Sequence, residues 1–371
     1  MTALADEVRA FLADTPLDIP VDPLEARFAA LVAFQRRLHD AGLATVSWPE
    51  AYGGRGLGPA AAAEVARALG EAGAPELVNF VGTDVLAPAL LAFVEPERLE
   101  RWLPPMGRAD EIWCQMFSEP DAGSDLANLG TRAVADGDGW RVTGQKVWST
   151  WGQLATWGLL LARTGEPGSR HRGITAFVVP MDTPGIEIRE LTTMTGEAEF
   201  AEVFLDDVRV GPEGLVGQVD GGWAVAMHIL GAERGPYAVR RAAVLRASLG
   251  VVLDRARKER AEGRARQLVL RAVTAMFLLD RRIDAVVELL AAGEVPGAEA
   301  ALTKVGLTEA EQLIAQAWLA LEGPDAMAWT GPVPAPVAAF LYSRGASIYG
   351  GTAQVQRNII GERLLGLPRD P

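Results

Sequence analysis

The chain is poor in every residue that builds a metal or disulfide framework. Cys114 is the one cysteine among 371 residues, so no intrachain disulfide can form, and a reducing, cytoplasmic setting is expected. The three histidines, His39, His171 and His228, show no H-E-x-x-H or similar spacing. With a single cysteine, that argues against a structural zinc site. Basic residues are outnumbered, 35 Lys and Arg against 48 Asp and Glu, for a net charge of −13. A nucleic-acid binder needs a basic face, so the balance argues against that class. An anionic substrate must instead find a locally basic site. No apolar run reaches the length of a membrane span. The opening "MTALADEVRAFLADT" carries early acidic residues and no long apolar run, so a signal peptide is not expected there. There are no repeats and no low-complexity linker. What is abundant is apolar side chain, 49% of the sequence, enough for a large core shared by two or three domains.

Periodicity divides the chain into three. Over residues 1–111 the spacing is helical. "LEARFAALVAFQRRLHDAGL" puts apolar residues three and four apart. "GPAAAAEVARALGEAG" reads as a helix stopped by Gly70 and Gly73, and "PERLERWLPPM" as a short helix ended by its two prolines. Over 112–218 the period becomes two. "TRAVADGDGWRVTGQKVWST" alternates around Asp138-Gly139 and Thr143-Gly144, which read as hairpin turns. Further strands of five to nine residues follow, suggesting a small antiparallel barrel or sandwich. Over 219–371 helices return. A kink is expected at 232–236, where Pro236 interrupts a long helical pattern. Four long helices suggest a bundle. In the last helix Thr352 is the expected N-cap, after a Gly350-Gly351 pair that lets the backbone approach something closely. The fold class is α+β.

Five motifs give this outline a chemistry. "CQMFSEPDAGSDLANLGTRA" holds Glu119, Pro120, Gly123, Ser124 and Asp125 in the pattern E-P-x-x-G-S-D. "VTGQKVWSTWG", "WPEAYGGRGLG", "FLDDVRV" and "YGGTAQVQRNIIGERLLG" are the others. Singly, each has a plain structural reading: an Asp-Gly-Ser turn before a strand, or a core tryptophan on a strand. Together, in this order and spacing, they resemble the acyl-CoA dehydrogenases over almost the whole chain. The resemblance implies an N-terminal helical domain (1–111), a middle antiparallel β-barrel (112–218) and a C-terminal four-helix bundle (219–371). It also implies FAD and an acyl thioester. Gln115, Phe117, Ser118, Gly123, Ser124, Trp148, Thr150, Thr352 and Gln354 are the implied cofactor contacts. Ser124, Arg234 and Gly350 are the implied substrate contacts. "WPEAYGGRGLG" is read as a structural turn, since it does not follow a strand of a βαβ unit.

The family reaction removes an α proton with a carboxylate while a β hydrogen leaves as hydride. Many relatives keep that carboxylate where this chain has Gly350, and glycine cannot serve. Other relatives carry it on the first long helix of the bundle. The matching stretch here is "MHILGAERGPYA", so Glu233 is the expected base, followed by Arg234. The competing reading of Glu233 is an ion pair with Arg234, Arg240 or Arg241. Glu119 and Glu199 are weaker candidates, with Glu119 read as a structural member of its loop.

Two family features are missing. Where relatives carry Arg-x-x-Phe-Gly, this chain reads "ARKERAEGRARQ"; where they carry Gln with Gly-Gly-x-Gly, it reads "LALEGPDAMAW". In relatives both contact an FAD bound by a neighbouring subunit. The chain thus resembles one half of the α2β2 acyl-CoA dehydrogenases of bacterial steroid side-chain breakdown, with a second dehydrogenase-like chain as partner. A homo-oligomer is the alternative. An electron-transfer flavoprotein is the implied electron acceptor. Competing functions are a carrier-protein dehydrogenase or flavin oxidase of the same fold, and a non-catalytic subunit. The acyl group stays open, whether linear, branched or steroid.

Overall fold

A computed structural model describes residues 3–20, 23–166, 168–232, 235–294 and 297–368. The N-terminal part consists of α1 (Ala3–Ala13), α2 (Leu24–Asp40), α3 (Gly58–Glu71), α4 (Ala87–Phe93) and α5 (Pro96–Gly107), with a π-helical turn, Val81–Leu86, leading into α4. Leu4 and Val8 of α1 pack with Phe34 and Leu38 of α2 and Val65 and Leu69 of α3 in one buried cluster.

Two punctuation expectations fail here. Gly70 does not stop α3; it is buried within it, where an added Cβ would come within 2.7 Å of the Ala243 Cβ. Its role is close helix crossing. Pro104 and Pro105 lie inside the last turns of α5. A proline in a helix lacks an amide donor and crowds the carbonyl four residues back, but its own carbonyl can still accept. The Pro104 and Pro105 carbonyls still accept from Arg108 and Asp110, at 3.2 and 2.9 Å, and close the helix end.

The middle part is a sheet of eight strands: β1 (Trp113–Met116), β2 (Arg132–Asp136), β3 (Gly139–Thr150), β4 (Trp157–Arg163), β5 (Ile174–Pro180), β6 (Ile186–Leu191), β7 (Phe200–Val210) and β8 (Leu215–Val216). The order is β6-β7-β3-β2-β4-β5-β8, with β1 also beside β4. The sheet is not purely antiparallel, as the sequence had suggested. β1 and β2 both pair with β4 in parallel. The β2–β3 hairpin lies between β1 and β4 in the chain and supplies the long connection that a parallel pair needs. Side chains from both ends of the order, Ile186 and Ile188 of β6 and Leu215 of β8, pack on one core with Phe177 and Val203. The sheet therefore wraps around its own interior. The β2–β3 turn falls at Gly137 and Asp138, with Gly137 at φ +62°. Thr143-Gly144 is not a turn. It lies within β3, where the register with β7 shifts between Val142 and Gly144. Any side chain at Gly144 would collide with Thr131.

The C-terminal part begins with α6 (Gly222–Ala232) and α7 (Pro236–Lys258), so the pattern breaks where Pro236 predicted. Pro236 takes the first turn of α7, where its missing amide costs nothing. The long helices α8 (Gly263–Ala291) and α9 (Glu299–Glu322) pack with α7 around Leu245, Leu249, Leu279, Ile283 and Leu313. The fourth side is not one long helix. It is made by α10 (Ala335–Tyr342) and α11 (Ala353–Ile359), the latter running into a π-helical turn, Ile360–Leu364. The Pro324–Pro336 stretch and the two glycines before Thr352 divide it. Thr352 caps α11 as expected, its hydroxyl accepting from the Val355 amide at 3.2 Å. No helix among the described residues is long and apolar enough to cross a membrane.

Candidate active site

The first wall is the loop after β1. Lys146 on β3 is fully buried, and its Nζ donates to Glu119 Oε1 at 2.7 Å and to the Phe117 carbonyl at 3.1 Å. Glu119 also accepts from the amides of Gly130 and Thr131 at 2.6 and 3.0 Å. The Val147 amide donates to the Ser118 carbonyl at 2.9 Å. Burial pushes the Glu119 carboxyl up, but the Lys146 charge and these hydrogen bonds outweigh it and hold it low. Burial also draws Lys146 down to about 8, against the pull of Glu119. Glu119 is thus the anchor of its loop. Arg163 holds the far end, donating to the carbonyls of Leu129 and Ala127 at 3.0 and 2.8 Å.

What this frame presents is open. Gly123 and Ser124 are exposed, and an added Cβ on Gly123 would meet nothing within 4 Å. Ser118 and Gln115 are half-buried and Phe117 is buried. Two residues beyond Lys146, Trp148 sits at φ +65° where the β3–β7 register shifts between Lys146 and Ser149. Its side chain is 58% exposed, with Phe200 edge-on at 5.7 Å. A large aromatic held in the left-handed region and left uncovered is not a core position, and its own packing does not account for the unfavourable backbone. Half-buried Thr150 follows on the same strand.

The second wall comes from the bundle. Tyr237 of α7 stacks on Phe80 at 5.4 Å and 11°. Arg241, one turn on, donates to Glu311 Oε2 of α9 at 3.0 Å and hydrogen-bonds Tyr349. Arg240 is buried and donates to the carbonyls of Ala74 and Pro75, the first at 3.0 Å. These two arginines therefore have partners of their own. Tyr349 and Gly350, the latter at φ +61°, complete this wall. Three of the four tyrosines, Tyr237, Tyr342 and Tyr349, belong to this region. Thr352 sits just beyond, and Gln354 is exposed on α11.

Two carboxyls, Glu199 and Asp84, are displaced upward. Burial raises Glu199, just before β7, to about 7; Glu197 and Glu76 add to this, while Arg27 and a hydrogen bond from Tyr342 oppose it. Burial likewise raises Asp84, in the π-helical turn, to about 7, against the pull of Arg240. Glu199 was a weak candidate in the sequence. Lys146, Tyr237 and Tyr349 lie within stretches singled out in the sequence but were given no role there, Arg241 entered only as a possible partner of Glu233, and Glu311 and Tyr342 belonged to no motif. Glu233 and Arg234, the expected base and its neighbour, lie outside the described residues. The described residues on either side are Ala232, which ends α6, and Gly235, which precedes Pro236.

The chain matches three family descriptions in sequence: acyl-CoA dehydrogenase, N-terminal domain, over residues 1–110; middle domain, over 114–208; and C-terminal domain, over 220–365. It is 38% identical over 340 residues to acyl-CoA dehydrogenase IpdE1 of Mycobacterium tuberculosis, covering 91% of this chain and 88% of that protein. Among solved structures, a chain of the ChsE4-ChsE5 complex from Mycobacterium tuberculosis superposes with a TM-score of 0.83 at 26% identity, covering 100% of this chain and 99% of the other. The steroid ACAD Tcur3481-Tcur3483 has the same fold, with a TM-score of 0.86 at 23% identity over 99% and 97% of the two chains. The chain belongs to the acyl-CoA dehydrogenase family and is an oxidoreductase of that type.

Proposed function

We propose that this chain catalyses α,β-dehydrogenation of an acyl-CoA thioester to the trans α,β-enoyl thioester. Members of this family use FAD, which when bound supplies the hydride acceptor. The observation that carries the reading is Trp148, 58% exposed at φ +65° beside an anchored loop whose Gly123 opens onto free space. A planar ring system needs such a combination: a flat apolar partner, small residues for close approach, and nearby donors. Gln115, Phe117, Ser118, Gly123, Ser124 and Thr150 would hold it from the sheet side, and Thr352 and Gln354 from α11. The substrate would lie by Ser124, Arg234 and Gly350. Glu233 would take the α proton, and enclosure of the site would exclude the water that otherwise stabilises its ionised form.

The missing contacts for a neighbour's cofactor favour a heteromer, an arrangement named for the ChsE4-ChsE5 complex. This chain would be the base-bearing subunit beside a second dehydrogenase-like chain, with an electron-transfer flavoprotein as acceptor.

Anaerobic mixing of the FAD-loaded enzyme with acyl-CoA thioesters tests the chemistry. Flavin absorbance should fall in the wild type and fall about a hundred- to ten-thousandfold more slowly in Glu233→Gln. An unchanged rate in that variant would remove Glu233 as base. Flavin content and native mass of the chain alone test the assembly. One tightly held FAD per protomer would exclude the heteromer.

A further inference from the structure

The outer face of α8 is apolar where a solvent-facing helix is polar. Leu270, Phe277 and Leu278 are each half exposed or more, and Val273 is exposed between them. With Thr274 they recur three and four residues apart, on one side of the helix. The other side, with Ala272, Met276, Leu279 and Ile283, is buried in the bundle. Single exposed apolar residues are ordinary, but four grouped on one helix face mark a contact surface.

The charges along α8 indicate what covers that face. Arg264, Arg266 and Arg271 surround its start, and Asp284 and Glu288 follow it. The first turn holds no acidic residue and the last turn no basic one. That order opposes the helix dipole, which favours acids at the N-terminus and bases at the C-terminus. Asp284 pairs with Arg281 at 2.8 Å. Arg264, Arg266, Arg271 and Glu288 have no ion-pair partner among the described residues.

A second α8 laid antiparallel supplies what is missing. About a two-fold axis between Thr274 and Phe277, Val273 of one copy is level with Leu278 of the other, and Arg266 stands between Asp284 and Glu288. A two-fold contact requires such a patch, complementary to itself. A helix with the ordinary charge order, acidic first and basic last, would match α8 only in parallel.

We propose that the outer face of α8 is a contact between two copies of this chain, antiparallel about an axis near Thr274 and Phe277. A homo-oligomer and an α2β2 assembly both contain two copies, so the inference depends neither on which one forms nor on the reaction.

Cross-linking of the full chain tests it. Thr274→Cys treated with a short bis-maleimide should give a covalent dimer on a denaturing gel. The wild type should give none, since Cys114 is fully buried. Arg264→Cys should give none either. In the antiparallel arrangement its two copies stand roughly 35 Å apart, at 1.5 Å of rise per residue, whereas parallel helices would bring them together. Sedimentation supplies a second reading. Phe277→Glu, at an exposed position, should weaken self-association by about tenfold or more. Arg266→Glu and Glu288→Arg should each weaken it severalfold, and the two together should restore most of the loss. No dimer from Thr274→Cys, an equal dimer from Arg264→Cys, or charge reversals whose effects simply add would overturn the proposal. Cross-linking of Thr274→Cys only to a co-expressed second chain would overturn the self-contact and give the face to that partner.

Discussion

Lys146 and Glu119 form a buried ion pair, Nζ to Oε1 at 2.7 Å, that joins the strand bearing Trp148 to the loop bearing Gly123 and Ser124. The lysine side chain has no solvent-exposed surface and the glutamate only 10%. Their contact is what fixes the two elements relative to each other.

Removing one partner leaves a buried charge. Lys146→Met should destabilise the flavin-free chain by about 3 kcal/mol, the lower end for a broken buried pair, because Glu119 keeps two amide donors. The same variant should retain less flavin. Urea unfolding and the absorbance ratio of purified protein read the two effects. Adding Glu119→Gln should recover part of the loss, and strict additivity of the two substitutions would contradict the coupling.

Trp148 allows strain and function to be separated. Its φ of +65° is unfavourable for a residue with a Cβ. Trp148→Gly relieves that strain and uncovers little core, since the side chain is already 58% exposed. The flavin-free variant should be as stable as the wild type or up to about 1 kcal/mol more so. Its affinity for FAD should nevertheless fall, by about tenfold or more for a lost stacking face. A variant that binds FAD normally would show that the ring is not a flavin platform.

The strands, the break at Pro236 and the Thr352 cap were legible in the sequence because each depends on neighbours within a few residues. The signature loop was legible because its glycine, serine and proline stand together. Lys146 was not, since its partner lies 27 residues away and a lysine in a strand reads as solvent-facing. Arg241, Glu311 and Tyr349 meet only when α7, α9 and the last segment pack. The parallel β1–β4 pairing was hidden for the same reason: register between distant strands leaves no local trace. Glycine misled where it served packing, as Gly70 did.

Two glycines in helices should respond in opposite ways to the same substitution. At Gly70 a Cβ would stand 2.7 Å from the Ala243 Cβ and 3.0 Å from the Arg240 carbonyl oxygen. Gly70→Ala must push α3 from α7, and overpacking of this kind costs about 1–3 kcal/mol. At Gly250, inside α7, a Cβ would meet nothing within 4 Å. Gly250→Ala should gain about 0.5–1 kcal/mol from helix propensity alone. Thermal midpoints of the two variants against the wild type are the measurement, and a stabilised Gly70→Ala would show that the crossing has slack.

Glu199 lies in a segment that meets all three parts of the chain. Glu197 pairs with Arg27 of α2 at 2.8 Å, the Trp151 amide donates to the Glu199 carbonyl at 2.8 Å, and Tyr342 of α10 hydrogen-bonds the Glu199 carboxyl. Burial, then Glu197 and Glu76, raise that carboxyl from an ordinary value near 4.5 to about 7. Between those values the folded chain holds a proton that the unfolded chain releases. Stability therefore falls as pH rises from 4.5 to 7, and the penalty is complete above 7. Asp84, raised from 3.8 to about 7, contributes in the same direction. Glu199→Gln removes the Glu199 share. Across pH 4.5 to 7 its thermal midpoint should fall less steeply than that of the wild type, and above pH 7 it should be the more stable protein. Parallel curves would mean that Glu199 titrates as a surface glutamate does, and that the junction of the three parts is open to water there.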